Sequence, residues 1–448
     1  MNPHHRARLL LAFSLQLSAF SLSLRAQPAP QFPVPPRLDL KGAMGFAIEN
    51  NFAIRQARER IKQQDGVLVE ISARQIPTVT AAAAYQQNDT EIAQSFPSSD
   101  RAWSVSLTAS QVLYAGGGVK ASVRGSQLVR ESAVLDLQAT INDALLQVRT
   151  NFYAVLLARE KITVQEKNLV LLQEQLKTAT DRYNAGTVSS FEKLRAEVAV
   201  ANAKAPLITA KNDFRLAIES LRQSLGFTTN LPDQLDKLPE FLGTLEFSPT
   251  KFDMLSALDA AHANRPELQR LAKLSSSREQ SITVARSNSL PNVSAFGGWQ
   301  LRKGPGSAFS ESKDGWLLGV QSQWNIFDGR ATAGRVAQAR SALEQTKLSL
   351  AEATLAAEVE VRRAFSQWQQ AEELADASKK VVEQAEEAVR LATARYNAGT
   401  ATQLDVLQAQ TDLTTSRTNQ VQAYYAYNVG VATLRRAMGQ PDELLVKP

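Results

Sequence analysis

The 448-residue chain is 44% hydrophobic and 21% charged, with 50 Lys and Arg against 44 Asp and Glu and a formal net charge of +6. It has no cysteine and three histidines, two of them His4 and His5, so one mature subunit holds no disulfide framework, lipid-anchored cysteine or His/Cys zinc site. No phosphate loop of the G-x-x-x-x-G-K type occurs, and the charge is too small to argue for nucleic acid.

At the amino end, His4, His5, Arg6 and Arg8 precede an apolar run from Leu9 to Leu24, then Leu24-Arg25-Ala26 and a Pro-rich stretch, Gln27 to Pro36. This pattern reads as a secretory signal peptide, residues 1–26, cut after Ala26. The run is interrupted by Ser and Gln and is shorter than the roughly 20 apolar residues a membrane span needs. Cleavage removes Arg6, Arg8 and Arg25 and lowers the net charge from +6 to +3.

The remainder is a tandem duplication. Arg182-Tyr183-Asn184-Ala185-Gly186-Thr187 recurs 213 residues on as Arg395-Tyr396-Asn397-Ala398-Gly399-Thr400, and the offset also pairs Trp103 with Trp316, Tyr114 with Phe327, Gly116 with Gly329 and Phe152 with Phe365. Towards the amino end it drifts by one, pairing Pro77 with Pro291 and Ile54 with Leu268. One structural unit therefore occurs twice, over 27–225 and 251–448, with 226–250, which holds Pro232, Pro239 and Pro249, as the connecting segment.

Each unit opens with a helical stretch, Asp39 to Ala73 and Lys251 to Arg286, that stops at Pro77 or Pro291. Strands are predicted at about 78–88 and 102–114, and again at about 292–302 and 315–327, each pair separated by a turn-rich loop. In the second strand of the first unit, Trp103, Val105, Leu107 and Ala109 alternate with Ser104, Ser106, Thr108 and Ser110. Such a pattern suits a half-buried hairpin packed on a helix. It equally suits a lipid-crossing barrel strand, which needs about 9 to 11 residues.

From Gly118 to Tyr183 and from Arg330 to Tyr396 there is no proline and almost no glycine. At 1.5 Å per residue each predicted helix runs roughly 100 Å. Each stops at Asn-Ala-Gly-Thr, where the glycine supplies a left-handed cap and Thr187 or Thr400 begins a returning helix, making two long antiparallel hairpins. His262, in an Ala-rich helical stretch, reads as a surface or packing residue. Four strands that cross lipid cannot close on themselves, because the smallest membrane barrels have eight and an open edge leaves unpaired amides in hydrocarbon. Two chains make eight strands and three make twelve; pattern alone leaves that choice open.

The duplicated plan, the Arg-Tyr-Asn-Ala-Gly-Thr tips, the Asn264-Arg265-Pro266-Glu267-Leu268 box and Thr402-Gln403-Leu404-Asp405-Val406-Leu407 resemble the TolC-like outer membrane efflux proteins along essentially the whole mature chain. The resemblance implies an α+β membrane protein of a Gram-negative outer membrane: a homotrimer with a 12-stranded β-barrel in lipid, continued by a long α-helical coiled-coil tunnel in the periplasm. It implies a passive exit duct for a tripartite efflux pump or type I secretion system, not an enzyme, docked on a periplasmic adaptor and energised by an inner membrane transporter, with no cofactor or metal. Adaptor docking maps onto Asn184, Ala185, Gly186 and Thr187 and onto Asn397, Ala398, Gly399 and Thr400. In the periplasmic gate, Tyr396 matches a gate tyrosine with Glu192 as its acceptor, and Asp405 matches the first carboxylate of a lumenal acidic ring. Gln408 stands where relatives can carry a second ring carboxylate and Ala401 where they can place a gate arginine, which implies a weaker lock and a single ring. Without the resemblance, the rival reading is a periplasmic coiled-coil scaffold that never enters lipid.

Overall fold

The computed structural model describes residues 37–89, 91, 101–228, 239–303, 308–442 and 444. The expected signal peptide lies outside these residues, as do most of the loop after the first strand and 229–238 of the connecting segment. One compact unit comprises Arg37–Phe227 and Glu240–Pro448; the other, Met1–Pro36 with Thr228–Pro239, is almost wholly undescribed.

In chain order the elements are β1 (Arg37–Leu38), α1 (Leu40–Asn50), α2 (Phe52–Ser72), β2 (Thr78–Gln87), β3 (Arg101–Ala115), α3 (Gly118–Asn184) and α4 (Ser190–Leu225). They continue with β4 (Glu240–Phe241), α5 (Met254–Asn264), α6 (Pro266–Ser287), β5 (Asn292–Arg302), β6 (Lys313–Gln323), α7 (Ala331–Asn397) and α8 (Gln403–Ala437). The predicted opening helix is two in each repeat. Asn51 ends α1 and caps α2, its side chain accepting from the backbone of Ala53 and Ile54. Arg265 caps α6 and Pro266 sits in its first turn, where its missing N–H costs nothing. The final strand ends at Gln323, short of the expected 327, so the aromatic Phe327 that matches Tyr114 lies beyond the sheet.

The four long strands form one antiparallel sheet in the order β2-β3-β5-β6. Residues directly opposite share a face, and the register sets Tyr85 against Trp103, Leu107 against Trp299 and Trp299 against Trp316. Val79, Tyr85, Val105, Leu107, Trp299, Trp316, Leu318 and Val320 therefore lie on or beside one apolar surface. Among the described residues no helix covers it: Val79, Tyr85, Trp316, Leu318 and Val320 are each more than half exposed. The hairpin-on-helix alternative fails on that exposure. β2 and β6 are the sheet's edges within the chain.

α3 and α4 form one helical hairpin and α7 and α8 the other, with α6 packed against both α3 and α7. Where the second hairpin meets α5, Val361, Ala364, Trp368, Ala371 and Tyr427 form an apolar core with Ala257 and Ala261. The Tyr427 hydroxyl donates to the Ser248 carbonyl (2.7 Å) and accepts from the Thr250 amide (2.9 Å), pinning the segment between repeats. β1 pairs in parallel with β4 in that segment, and Arg159 donates to the carbonyls of Phe241 (2.7 Å) and Gly243 (2.6 Å). The Asn264 to Leu268 box anchors a charge cluster. Arg265, whose side chain is 5% exposed, pairs with Glu360, and Arg436 binds Glu360 (2.5 Å), Asp143 (2.6 Å) and Glu267 (2.9 Å). The cluster ties α3, α6, α7 and α8 together.

Candidate functional site: the paired hairpin tips

Both tips are built alike. The amide of Thr187 donates to the Arg182 carbonyl and that of Gly186 to the Tyr183 carbonyl, both at 2.9 Å; Thr400 repeats this to Arg395 (2.9 Å) and Gly399 to Tyr396 (3.1 Å). These crossed bonds close a Schellman motif, which needs a left-handed residue. Gly186 (φ 74°) and Gly399 (φ 75°) supply it.

Thr187 and Thr400 do not begin the returning helices. Their hydroxyls donate back to the carbonyls of Arg182 (2.9 Å) and Arg395 (3.2 Å), finishing the incoming helices, and the returning helices take Ser189 and Thr402 as N-caps. Each N-cap lies two residues beyond its threonine. Asn184, Ala185, Gly186, Thr187, Asn397, Ala398, Gly399 and Thr400 are all exposed. Nothing within 4 Å would meet a side chain added at either glycine.

The tips are joined through Tyr396, which is 6% exposed. Its hydroxyl donates to Glu192 Oε2 at 3.4 Å. The Arg182 guanidinium sits 4.5 Å from its ring centroid, and Arg182 Nη2 donates to Asn397 Oδ1 at 3.1 Å. The structure thus brings Tyr396 and Glu192 together as the sequence suggested and adds Arg182, which motif reading missed. A cation over an aromatic face contributes about 0.5–2 kcal/mol, more as water is excluded. Burial raises the Tyr396 phenol above its ordinary pKa, with the Glu192 charge adding to the effect, so the hydroxyl keeps its proton as a donor.

Asp405 lies elsewhere. Its Oδ2 accepts from the Thr402 amide (2.7 Å) and hydroxyl (2.8 Å), while its own amide faces the Thr402 hydroxyl at 3.4 Å. This is a capping box at the start of α8. Those bonds, the backbone one first, hold its carboxyl below the usual aspartate pKa, and the nearby Arg395 charge adds to this. Glu192 occupies the matching position after Ser189, whose side chain makes no capping bond, leaving the glutamate free to reach Tyr396. Gln408 donates to Asp412 Oδ1 at 2.9 Å one turn further along α8. Asp405, Gln408 and Asp412 fall on one stripe of that helix.

What the tips display is a cation over an aromatic ring and hydrogen bonds between two helix ends. Among the described residues, no group of three or more His, Cys, Asp and Glu could hold a metal ion.

A family model described as outer membrane efflux protein matches residues 44–227 and again 257–440. The two matches start and stop 213 residues apart, the offset of the internal repeat. Protein CyaE of Bordetella pertussis is 24% identical over 409 residues, which cover 89% of this chain and 84% of that one. Cobalt-zinc-cadmium resistance protein CzcC of Cupriavidus metallidurans is 24% identical over 423 residues, 91% of this chain and 93% of the relative. The crystal structure of the Campylobacter jejuni CmeC outer membrane channel has a TM-score of 0.77 at 17% identity, covering 90% of this chain and 87% of that chain.

Proposed function

The chain belongs to the outer membrane efflux protein family, and on that premise we propose that three copies close a twelve-stranded barrel whose helical hairpins continue as a periplasmic tunnel. The family makes it a passive conduit of the Gram-negative outer membrane rather than an enzyme. As the exit duct of a tripartite efflux pump or type I secretion system, it takes cargo from an inner membrane transporter through a periplasmic adaptor docked at the Asn184 to Thr187 and Asn397 to Thr400 tips. Residues 1–26 direct export and are removed. The Tyr396, Glu192 and Arg182 contacts hold the periplasmic end shut, and Asp405 lines the constriction.

The observation that carries the oligomer is the sheet. Its exposed apolar face matches lipid, and its two edges, β2 and β6, would leave unpaired amides in hydrocarbon unless neighbouring chains bonded to them. A ring in which β6 of one copy pairs with β2 of the next removes every edge. Mass measurement of the detergent-extracted protein tests this: a trimer is expected, and a monomer, or recovery from the soluble periplasm, overturns it. The rival scaffold would be released by carbonate and would migrate identically with and without heating.

A further inference from the structure

Charge on the four long strands is confined to one end of the sheet. Their charged residues are Arg101, Arg302, Lys313 and Asp314, all at the end away from α6 and α7. Strand alternation divides them between the two surfaces. Arg101 stands opposite Gln87 and Asp314 opposite Leu301, in step with the apolar Trp103, Trp299 and Trp316. Arg302 and Lys313 stand directly opposite each other on the other surface, the one that faces the lumen of the proposed barrel.

Two cations set across a strand pair destabilise it unless an anion lies beside them. No carboxylate does so within the chain: among the described residues, neither the Arg302 nor the Lys313 side chain forms an ion pair or a hydrogen bond. Ser104 lies opposite Arg302 on β3, and the next row on the same surface is Ser106, Gln300 and Gly315. These neighbours offer hydroxyls and an amide, and the glycine leaves a gap, since a side chain added there would meet nothing within 4 Å. A guanidinium, an ammonium and an amide thus border open space, on a strand surface that carries no acid. That set of donors suits the oxygens of a phosphate group, which a guanidinium meets with two parallel bonds and an ammonium meets as a point charge.

We infer that Arg302 and Lys313 form an oxyanion site at the outer mouth of the duct, taking multivalent phosphate-type solutes from the lumen. The inference rests on the barrel proposed above, in which two cations from each of three copies make a rim of six. Lipid meets the opposite surface of the sheet, so the site draws its anion from water inside the channel. A narrow mouth with low-dielectric walls focuses such a field and raises the local concentration of anions. The duct would then carry opposite charge at its two ends, with Asp405 at the periplasmic one.

Inorganic tripolyphosphate tests the site. The full-length protein, extracted in detergent as the oligomer and with its native mass measured in parallel, would be recorded in planar bilayers at about 0.1 M salt, where charges are screened beyond about 10 Å. Tripolyphosphate should block the parent channel, and Arg302→Gln with Lys313→Gln should raise the half-blocking concentration roughly tenfold or more. Arg302→Lys with Lys313→Arg keeps one guanidinium and one ammonium and should stay within about twofold of the parent, which a purely structural role for either side chain would not produce. The doubly neutralised channel should also move towards cation selectivity in a salt gradient. A parent channel that tripolyphosphate leaves unblocked, or block that the neutralised channel keeps at parental concentrations, overturns the site while sparing the duct, because both are read from conducting channels. A native mass of one chain overturns both.

Discussion

In the proposed gate Tyr396 would act as a latch: its ring takes the Arg182 cation, its hydroxyl reaches Glu192, and its neighbour Asn397 takes the second Arg182 contact. A hydrogen bond of this kind has a net worth of about 0.5–1.5 kcal/mol, so Glu192→Gln and Tyr396→Phe should each raise closed-state leakage roughly two- to tenfold in planar-bilayer recordings. Leakage unchanged in both would remove Tyr396 from the gate. Asp405 follows different physics. In the proposed trimer, three copies around an axis would repel one another and raise each other's pKa; in the chain, Thr402 and Arg395 pull the other way. The sign is that of a depressed carboxylate: its stabilising contribution is present above the unfolded value of about 3.9 and is lost as pH falls through the lower folded value. Multivalent cations drawn to the proposed Asp405 ring are the expected blockers, and their block should therefore persist from neutral pH down to about 5, where an ordinary aspartate is still ionised, and weaken only in stronger acid. Asp405→Asn should abolish that block. Block in the parent that fades between pH 7 and 5 would show that ring repulsion outweighs the capping bonds.

Helix ends, strands and turns were legible to different depths, for reasons found in particular residues. Pro77 and Pro291 marked where helix gives way to strand, and the glycines at 186 and 399 marked the tips, because both residue types restrict or free the backbone locally. The positions where α4 and α8 begin were not legible, since a threonine beside a glycine can finish one helix as readily as start another. Nor was the end of β6: the run from Trp324 to Phe327 has strand-like residues but no partner on β5, whose pairing stops at Asn292. The Arg182 to Tyr396 contact joins residues more than 200 positions apart, and no local pattern announces it. At the tips, Gly399→Val meets no steric obstacle, so its cost is the left-handed backbone, about 1–2 kcal/mol and confined to the turn. The trimer should assemble with Gly399→Val while export falls to background in a minimum-inhibitory-concentration or secretion assay; normal export from the assembled variant would detach this tip from adaptor docking. At the junction of α3, α6, α7 and α8, Arg436→Ala leaves Asp143, Glu267 and Glu360 without their shared cation. These acids are partly exposed, so water offsets much of the loss. A destabilisation of about 1–3 kcal/mol is expected from denaturant or thermal unfolding in detergent, and a change below 0.5 kcal/mol would reduce the cluster to surface decoration.

For the whole molecule, the decisive distinction is whether β6 is an edge at all. Successive residues of a strand turn their N–H groups to opposite sides. On a true edge one side bonds to β5 and the other faces solvent, so of two adjacent positions one tolerates proline and the other does not. In a barrel closed between chains both sides are bonded, and neither position tolerates it. Val320 and Gln321 lie within the paired stretch of β6, opposite Ala295 and Ser294, and neither is a glycine that a ring would crowd. Val320→Pro and Gln321→Pro should therefore both prevent formation of the heat-modifiable oligomer, each losing a ladder bond at a depth where water cannot replace it. Far-ultraviolet circular dichroism should retain the helical signal of α3 and α7, separating failed closure from failed folding. If one of the two variants assembles normally while the other does not, β6 is an edge in the finished molecule, and the closed barrel must be given up even if the protein is found in membranes.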